Sequence, residues 1–403
     1  MIRPLPIKFG IGFSVSDEDQ NQYATLGYRN ERIGIHDNYY VTEHMWEWPH
    51  EITFPEHGYI IDGFSPNLNK SLHAGHLRNL AIANSLKQIL APKKSNFVAL
   101  LGASLGVKKH ALDGWKYWND FLGYHPKEYF DITLPDDIVE TRLEEDIDSE
   151  YYNTHVWDGP DGPVVVKRSD GRPVYAYYDL AFSKYVSPTH YITGSEQKEH
   201  FQKLGLDKKH LPMGLVLGED NKKLKSRTGD ALLAMELIEL VSDRIEGDSI
   251  SKTKLSWNIL AWNFLRVNRE KNIKFEVEKW TRPDQGGLYI SYTYARAKSA
   301  LNKAEFFVQQ TSPGKVSKNI SDIDLLLLGF SDQYKHYFQQ SINHLDPVSI
   351  ANFSFELAKL IGQSYEKEKL SGGRESFKKA FSHATWCLGN CIQKLGMFIL
   401  DEV

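Results

Sequence analysis

Cysteine is almost missing from this 403-residue chain: only Cys387 and Cys391 occur. Their i, i+4 spacing puts both on one helix face, where a disulfide is geometrically awkward. Zinc sites built from cysteine clusters are excluded, and a reduced, cytoplasmic setting is the expectation. Long apolar runs are missing too. A run such as Leu325 to Leu328 falls far short of the roughly 18 to 20 residues of a membrane helix and reads as a core helix fragment. The opening MIRPLPIKFG lacks a charged segment followed by an apolar one, so no secretory signal is expected and no membrane partner is implied. Charge of one sign is scarce: 48 Lys and Arg against 52 Asp and Glu leave −4, so any nucleic-acid surface must be a local patch. The remaining balance, 41% hydrophobic and 25% charged, is that of a globular chain. It excludes global disorder and a coiled coil, and the length allows two or three domains.

Residues 1–55 are mixed and carry no motif; they read as an N-terminal extension of unknown role. Tyr59 to Asp62 is a short apolar run ending in a carboxylate, hence a buried strand. A turn rich in Ser, Pro and Asn follows. Then Leu77, Leu80, Ala81, Ala83, Ile89 and Leu90 mark one face of a helix, and Phe97 to Leu101 is a second strand stopped by Gly102. Strand, helix, strand predicts a parallel sheet. The acidic, turn-rich stretch near 110–165 reads as an insertion into a sheet domain spanning 56–240. Val164 to Lys167, Val174 to Tyr177, His190 to Gly194 and Met213 to Leu217 look strand-like. From Asp230 onward the pattern turns helical, so 241–403 is expected to be all-helical. Pro347 sits where a first helical turn tolerates it.

Two segments carry chemistry. His73-Ala74-Gly75-His76 sets two imidazoles around a glycine at a predicted helix start. Glycine allows close approach of a ligand, the helix terminus offers N–H groups to phosphate, and imidazoles can stabilise charge as pyrophosphate departs. The tetrapeptide alone is equally a helix cap with incidental histidines. Lys222 to Asp230 is a lysine-rich loop able to clamp a triphosphate, although a lysine run alone is more often a solvated turn.

In this order on a parallel-sheet domain, the two resemble the HIGH and KMSKS signatures of class I aminoacyl-tRNA synthetases. Ser65 to Arg78 resembles the S-P-N-x-x-K-x-x-H-x-G-H-L-R block of arginyl-tRNA synthetases. Lys223 to Asp230 is similar to that family's divergent lysine loop, Arg168 to Tyr175 with Asp179-Leu180-Ala181 to its R-S-D-G-x-x-x-Y segment, and Tyr191 to Gln197 with His200-Phe201 to its next strand and loop. Leu345-Asp346-Pro347, Ile350 to Phe353, Glu356 to Ala358 and Tyr365 resemble its helical anticodon-binding domain. The resemblance covers roughly residues 58 to 400.

It implies a Rossmann-like catalytic domain followed by a helical stem-contact and anticodon-binding region. It also implies an arginine–tRNA ligase using ATP, with Mg²⁺ on its phosphates, to join L-arginine to tRNA(Arg), as a monomer with no dedicated metal ligands and no zinc. His73, His76, Lys70 and Lys225 would be catalytic. Gly75, Lys223 and Ser226 would join His73, His76 and Lys225 around ATP. Ser226 stands where the family's second signature lysine falls, and Lys70 occupies the position whose lysine replaces that charge. Asn67 would hold the α-amino end of arginine. Tyr175 and Asp179 would face its side chain, Gln197 would complete the pocket, and Asp62 stands where the family usually has glutamate. A guanidinium has five donors in a planar fork and favours bidentate carboxylates. Tyr292, Tyr294 and Arg296, with the basic Lys208-Lys209, Arg374 and Lys378-Lys379, are candidate tRNA contacts.

The match also departs. About 55 residues precede the first strand, fewer than the family's usual extra N-terminal domain. Leu101 to Gly106 lacks an expected glycine-tryptophan block, and the span from His73 to Lys225 is compact. A paralogue passing arginine to another acceptor, a non-catalytic tRNA-binding protein and a different nucleotidyltransferase of the same fold remain readings of these residues.

Overall fold

The computed structural model describes residues 52–91, 95–102, 106–222, 224, 231–309 and 321–400, and the backbone of an antiparallel strand pair, β1 Arg32–His36 and β2 Tyr39–Thr42. Strand β3 (Ile60–Asp62) leads through an eleven-residue loop, 63–73, into helix α1 (Ala74–Leu90) and strand β4 (Asn96–Leu101). Helix α2 (Lys109–Leu122) then returns the chain to β5 (Lys127–Phe130). A separate antiparallel sheet follows, β6 (Arg142–Leu143), β7 (His155–Gly159) and β8 (Gly162–Lys167). The chain re-enters the main sheet through α3 (Tyr175–Tyr185), β9 (His190–Gly194), α4 (Lys198–Lys203) and β10 (His210–Met213).

The main sheet is five-stranded and parallel, in the order β10-β9-β3-β4-β5. Of the stretch read as an insertion from residue 110, α2 and β5 therefore belong to this layer, and the separate sheet begins at Arg142. The chain leaves β3 toward β4 on one side and later returns to β9 on the other. Such a reversal opens a crevice at the carboxyl ends of the strands. Asp62 ends β3 there, in register with Val98 of β4 and Tyr191 of β9.

Two strand expectations are corrected. Val174 to Tyr177 is not a strand: Val174 caps α3, and Tyr175 opens it. The β-favouring tyrosines are overridden by packing, which buries Ala176, Tyr177, Leu180 and Ala181 against Val98, Val166 and Phe201. Met213 to Leu217 is not one strand either. It breaks at Gly214, and β11 (Val216–Leu217) pairs with β12 (Ile273–Lys274) outside the main sheet. A Cβ on Gly214 would lie 2.4 Å from the Lys271 backbone.

After β11 the described chain is helical, with one departure from the all-helical expectation, the strand β12 that pairs with β11: α5 (Ala234–Ser242), α6 (Ser249–Leu265), α7 (Val277–Trp280), α8 (Gly286–Lys303), α9 (Asp322–Asp332), α10 (Tyr334–His344), α11 (Val348–Lys367) and α12 (Glu375–Lys394). Among the described residues no helix is long and apolar enough to cross a membrane. One apolar core runs from Ile61 and Phe64 through α1 to Trp257, Phe381 and Met397; a second lies under α3 on the other sheet face. Helix α1 is consequently buried beyond the single face its leucines mark. Asn79 Nδ2 donates to the Ile192 carbonyl at 2.9 Å on one side, and Ser85 Oγ to the Lys394 carbonyl at 2.7 Å on another.

Candidate active site

The His73-Ala74-Gly75-His76 turn begins α1 and seals its own amino end. The Gly75 N–H donates to His73 Nδ1 at 3.2 Å, and the His73 N–H donates to His76 Nδ1 at 3.2 Å. Two of the helix's orphan donors are thereby satisfied by imidazoles. The rings stack, with centroids 3.8 Å apart and planes 22° from parallel. With each Nδ1 accepting, a neutral ring carries its proton on Nε2. Burial, helped by the neighbouring His73, holds the His76 pKa down at about 3. His76 is thus a neutral N–H donor at physiological pH. A Cβ on Gly75 would sit 3.1 Å from His73 Cε1, a tight contact with the ring.

The lysine loop is anchored to this turn at its exit. The Ala74 N–H donates to the Leu232 carbonyl at 3.0 Å, the Ala234 N–H to the Leu72 carbonyl at 2.9 Å, and His73 bridges Leu233. At its entry, Leu224 N–H donates to the Val216 carbonyl at 3.2 Å. Lys223, Lys225 and Ser226 themselves lie outside the described residues. Lys70, in the loop before the histidines, is exposed.

Upstream of loop 63–73, at the end of β3, stands a carboxylate with a second one nearby. Asp62 is 6% exposed and accepts a hydrogen bond from the Ser65 hydroxyl, whose oxygen in turn accepts from the Leu100 N–H at 2.9 Å. Burial raises the Asp62 pKa to about 7, against the opposing pull of Ser65 and with a further push from the charge of Asp179. Because α3 is a helix, Tyr175 and Asp179 lie one turn apart on one face. The Asn67 amide donates to the Tyr175 hydroxyl, while Asn67 Oδ1 accepts the Asn69 N–H at 3.2 Å. His200 Nε2 meets Asp179 Oδ2 at 2.7 Å. Gln197 lies on an exposed 3₁₀ turn after β9.

Asp62, Asn67, Tyr175 and Asp179 therefore gather at the ends of β3 and α3, whereas Gln197 makes no hydrogen bond to them. Two partners were missed in the sequence. Ser65 stood three residues from Asp62, a spacing that suits a turn hydroxyl returning to a carboxylate. His200 lies 21 residues from Asp179, and nothing local connects them.

Among the candidate tRNA contacts, Tyr292 is exposed, and Arg296 is exposed with its guanidinium 5.7 Å from the Tyr365 ring centre. Tyr294 is buried against Gly389, so it packs rather than faces solvent. Arg374 is not a spare cation: it binds Asp324 and Glu368, at 2.7 and 2.6 Å, and joins the starts of α9 and α12. Lys379 pairs with Glu375 at 2.7 Å.

A sequence profile of the DALR anticodon binding domain matches residues 290–380. The arginine–tRNA ligase of Clostridium kluyveri is 27% identical over 275 residues, 60% of this chain and 48% of that protein. That of Clostridium botulinum strain Langeland is 26% identical over 369 residues, 83% of this chain and 62% of that protein. The chain thus spans about half to three-fifths of the length of these curated relatives. In fold it is similar to the arginyl-tRNA synthetase of Thermus thermophilus, with a TM-score of 0.67 at 13% identity, covering 100% of this chain and 96% of that one. It is similar too to that of Plasmodium falciparum, with 0.65 at 15% identity, covering 98% and 84%. A methionyl-tRNA synthetase of Mycobacterium tuberculosis follows at 0.55 and 12% identity, covering 84% and 90%. The parallel sheet, the capped histidine turn and the matched helical region all point one way: the chain is similar in sequence and in fold to arginyl-tRNA synthetases.

Proposed function

We propose that the chain is an arginine–tRNA ligase. The observation that carries this reading is the joining of two functions by one loop: β3 ends in Asp62, whose neighbour is the Asp179 carboxylate, and loop 63–73 leads from it to a phosphate-suited imidazole turn. In the first step a carboxylate oxygen of arginine attacks the α-phosphorus of ATP, and pyrophosphate leaves. In the second, a ribose hydroxyl at the tRNA 3′ end attacks the activated carbonyl, and AMP leaves.

His73 and His76 act as neutral Nε2–H donors to phosphate oxygens as charge develops, and need no protonation change to do so. Lys70 and Lys225 supply positive charge to the triphosphate, with Lys223 and Ser226 beside it. Gly75 lets the phosphates reach the helix terminus. Mg²⁺ enters as the phosphate complex of ATP. The donors on the turn, imidazole and backbone N–H, suit phosphate oxygens rather than the metal.

Asp179 and Asp62 pair with the guanidinium, Tyr175 lies along the side chain, and Asn67 holds the α-amino group with Gln197 at the rim. The helical region, matched by the anticodon-binding profile over 290–380, meets tRNA(Arg).

The test is arginine-dependent exchange of pyrophosphate into ATP, with and without total tRNA, alongside direct charging of tRNA with arginine. Exchange together with charged tRNA is expected. Exchange without charging would assign the activated arginine to another acceptor, and no exchange in either condition would leave only tRNA binding.

A further inference from the structure

Asp62 is an unusual group to find at the end of a central strand. Its carboxyl is almost wholly removed from solvent, and among the described residues its one hydrogen-bond donor is the Ser65 hydroxyl and no basic side chain reaches it. The described groups that face it are acidic or neutral. Asp179 on α3 adds like charge, Tyr191 is its partner on β9, and the Tyr124 hydroxyl after α2 is buried with no hydrogen-bond partner among the described residues. Val98 on β4 is apolar. Asp179 is better supplied, because His200 holds its Oδ2 at 2.7 Å. Two ionised carboxylates in such a setting, with no Lys or Arg between them among the described residues, repel each other in a medium that screens poorly. A guanidinium arriving between them reverses the balance, because it offers paired N–H donors and a full positive charge to both.

We propose that Asp62 stands as a neutral acid in the ligand-free site and is ionised by the guanidinium it receives, so that capture of arginine by Asp62 and Asp179 releases a proton to solvent. The proposal rests on the arginine reading above and adds to it a coupling between substrate binding and proton release. The O–H bond of Asp62 breaks, its electron pair stays on the carboxylate, and the proton passes to water; nothing is oxidised or reduced. The raised pKa of about 7 agrees with a neutral resting form at and below neutrality. Affinity for arginine should therefore fall with acidity, approaching tenfold per pH unit below about pH 6, and flatten above about pH 8.

The decisive measurement is titration calorimetry of the full chain with L-arginine at about pH 6.5, in two buffers of different protonation enthalpy, where a release of roughly 0.5–0.8 proton per arginine is expected. Asp62→Asn, nearly isosteric and unable to ionise, should bind arginine more weakly and with that release lost. Ser65→Ala removes the one donor that favours the carboxylate and should move the pH midpoint of affinity upward. Binding without proton exchange in the unsubstituted chain overturns the coupling and leaves the arginine reading standing. Release that persists in Asp62→Asn assigns the proton to another group and overturns it equally. Absence of any arginine binding at about pH 8, where Asp62 is mostly ionised, overturns the substrate reading and the coupling together.

Discussion

At the scale of single residues, the histidine turn separates catalysis from folding. His76 contributes one cap interaction, its Nδ1 accepting the His73 N–H, and such a cap is worth about 1 kcal/mol. His76→Ala should therefore lower arginine-dependent pyrophosphate exchange by roughly 100-fold or more while the melting temperature moves only a few degrees. Near-normal exchange in the variant would remove the histidine from the chemistry. Its low pKa further implies that exchange shows no inflection from His76 between about pH 5 and 8. Asp62 makes the opposite kind of prediction, about stability. Its folded pKa of about 7 lies above the usual carboxylate value, so folding takes up protons between about pH 4 and 7. The carboxyl is neutral in both states at the acid end, and stability is lost as pH rises through that window. Asp62→Asn should then match the parent chain near pH 4 and exceed it at pH 8 by on the order of 2–4 kcal/mol. Denaturant midpoints at the two pH values check this, and a variant less stable at pH 8 would count against a neutral Asp62.

At the scale of elements, legibility followed periodicity. The runs around Ile61 and Val98, and the leucines of α1, announced β3, β4 and the crossover helix because burial on a sheet imposes a local pattern. The segment 174–177 failed because its valine and tyrosines favour strand, and only distant contacts with Val98, Val166 and Phe201 make it helical. That failure touches the site, since the helix is what sets Tyr175 and Asp179 on one face. The histidine turn was readable because its partners are two and three residues apart. The Asp179–His200 pair was not, since it closes a long loop. Close helix packing is another such hidden feature. A Cβ on Gly287 of α8 would lie 2.2 Å from the Asn258 carbonyl oxygen and 2.9 Å from the Ile259 Cα of α6, both backbone atoms. Neither can rotate aside, so Gly287→Ala should force α6 and α8 apart and destabilise the chain by about 2 kcal/mol or more. Thermal denaturation measures this, and an unchanged melting temperature would mean that the two helices do not meet so closely.

At the scale of the whole molecule, the question is whether the sheet domain and the helical region hold together or merely adjoin. The shared core favours the first, since it continues through α1 from Ile61 to Met397. A buried polar joint reinforces it. Arg78, two residues after His76, is fully buried; it donates to the carbonyls of Gly214 at 2.7 Å and Arg269 at 3.2 Å. Burial lowers its pKa to about 10, so it stays charged, and Asp346 opposes the shift. Asp346 in turn accepts the Arg269 N–H at 3.0 Å and the Val348 N–H at 3.0 Å, fixing the start of α11. The guanidinium thus connects the histidine helix to the segments before β11 and around Arg269, and Arg269 with Asp346 carries the joint to the head of α11. The two regions should therefore unfold in one transition, with hydrogen exchange in peptides from β4 and from α11 collapsing at the same denaturant concentration. Arg78→Met keeps the bulk but leaves those carbonyls without donors inside the fold, where each unsatisfied group costs about 1–3 kcal/mol. It should lower both midpoints together. If α11 instead opens first in the parent chain, or if Arg78→Met releases the helical region while β4 stays protected, the joint is a contact between independent units.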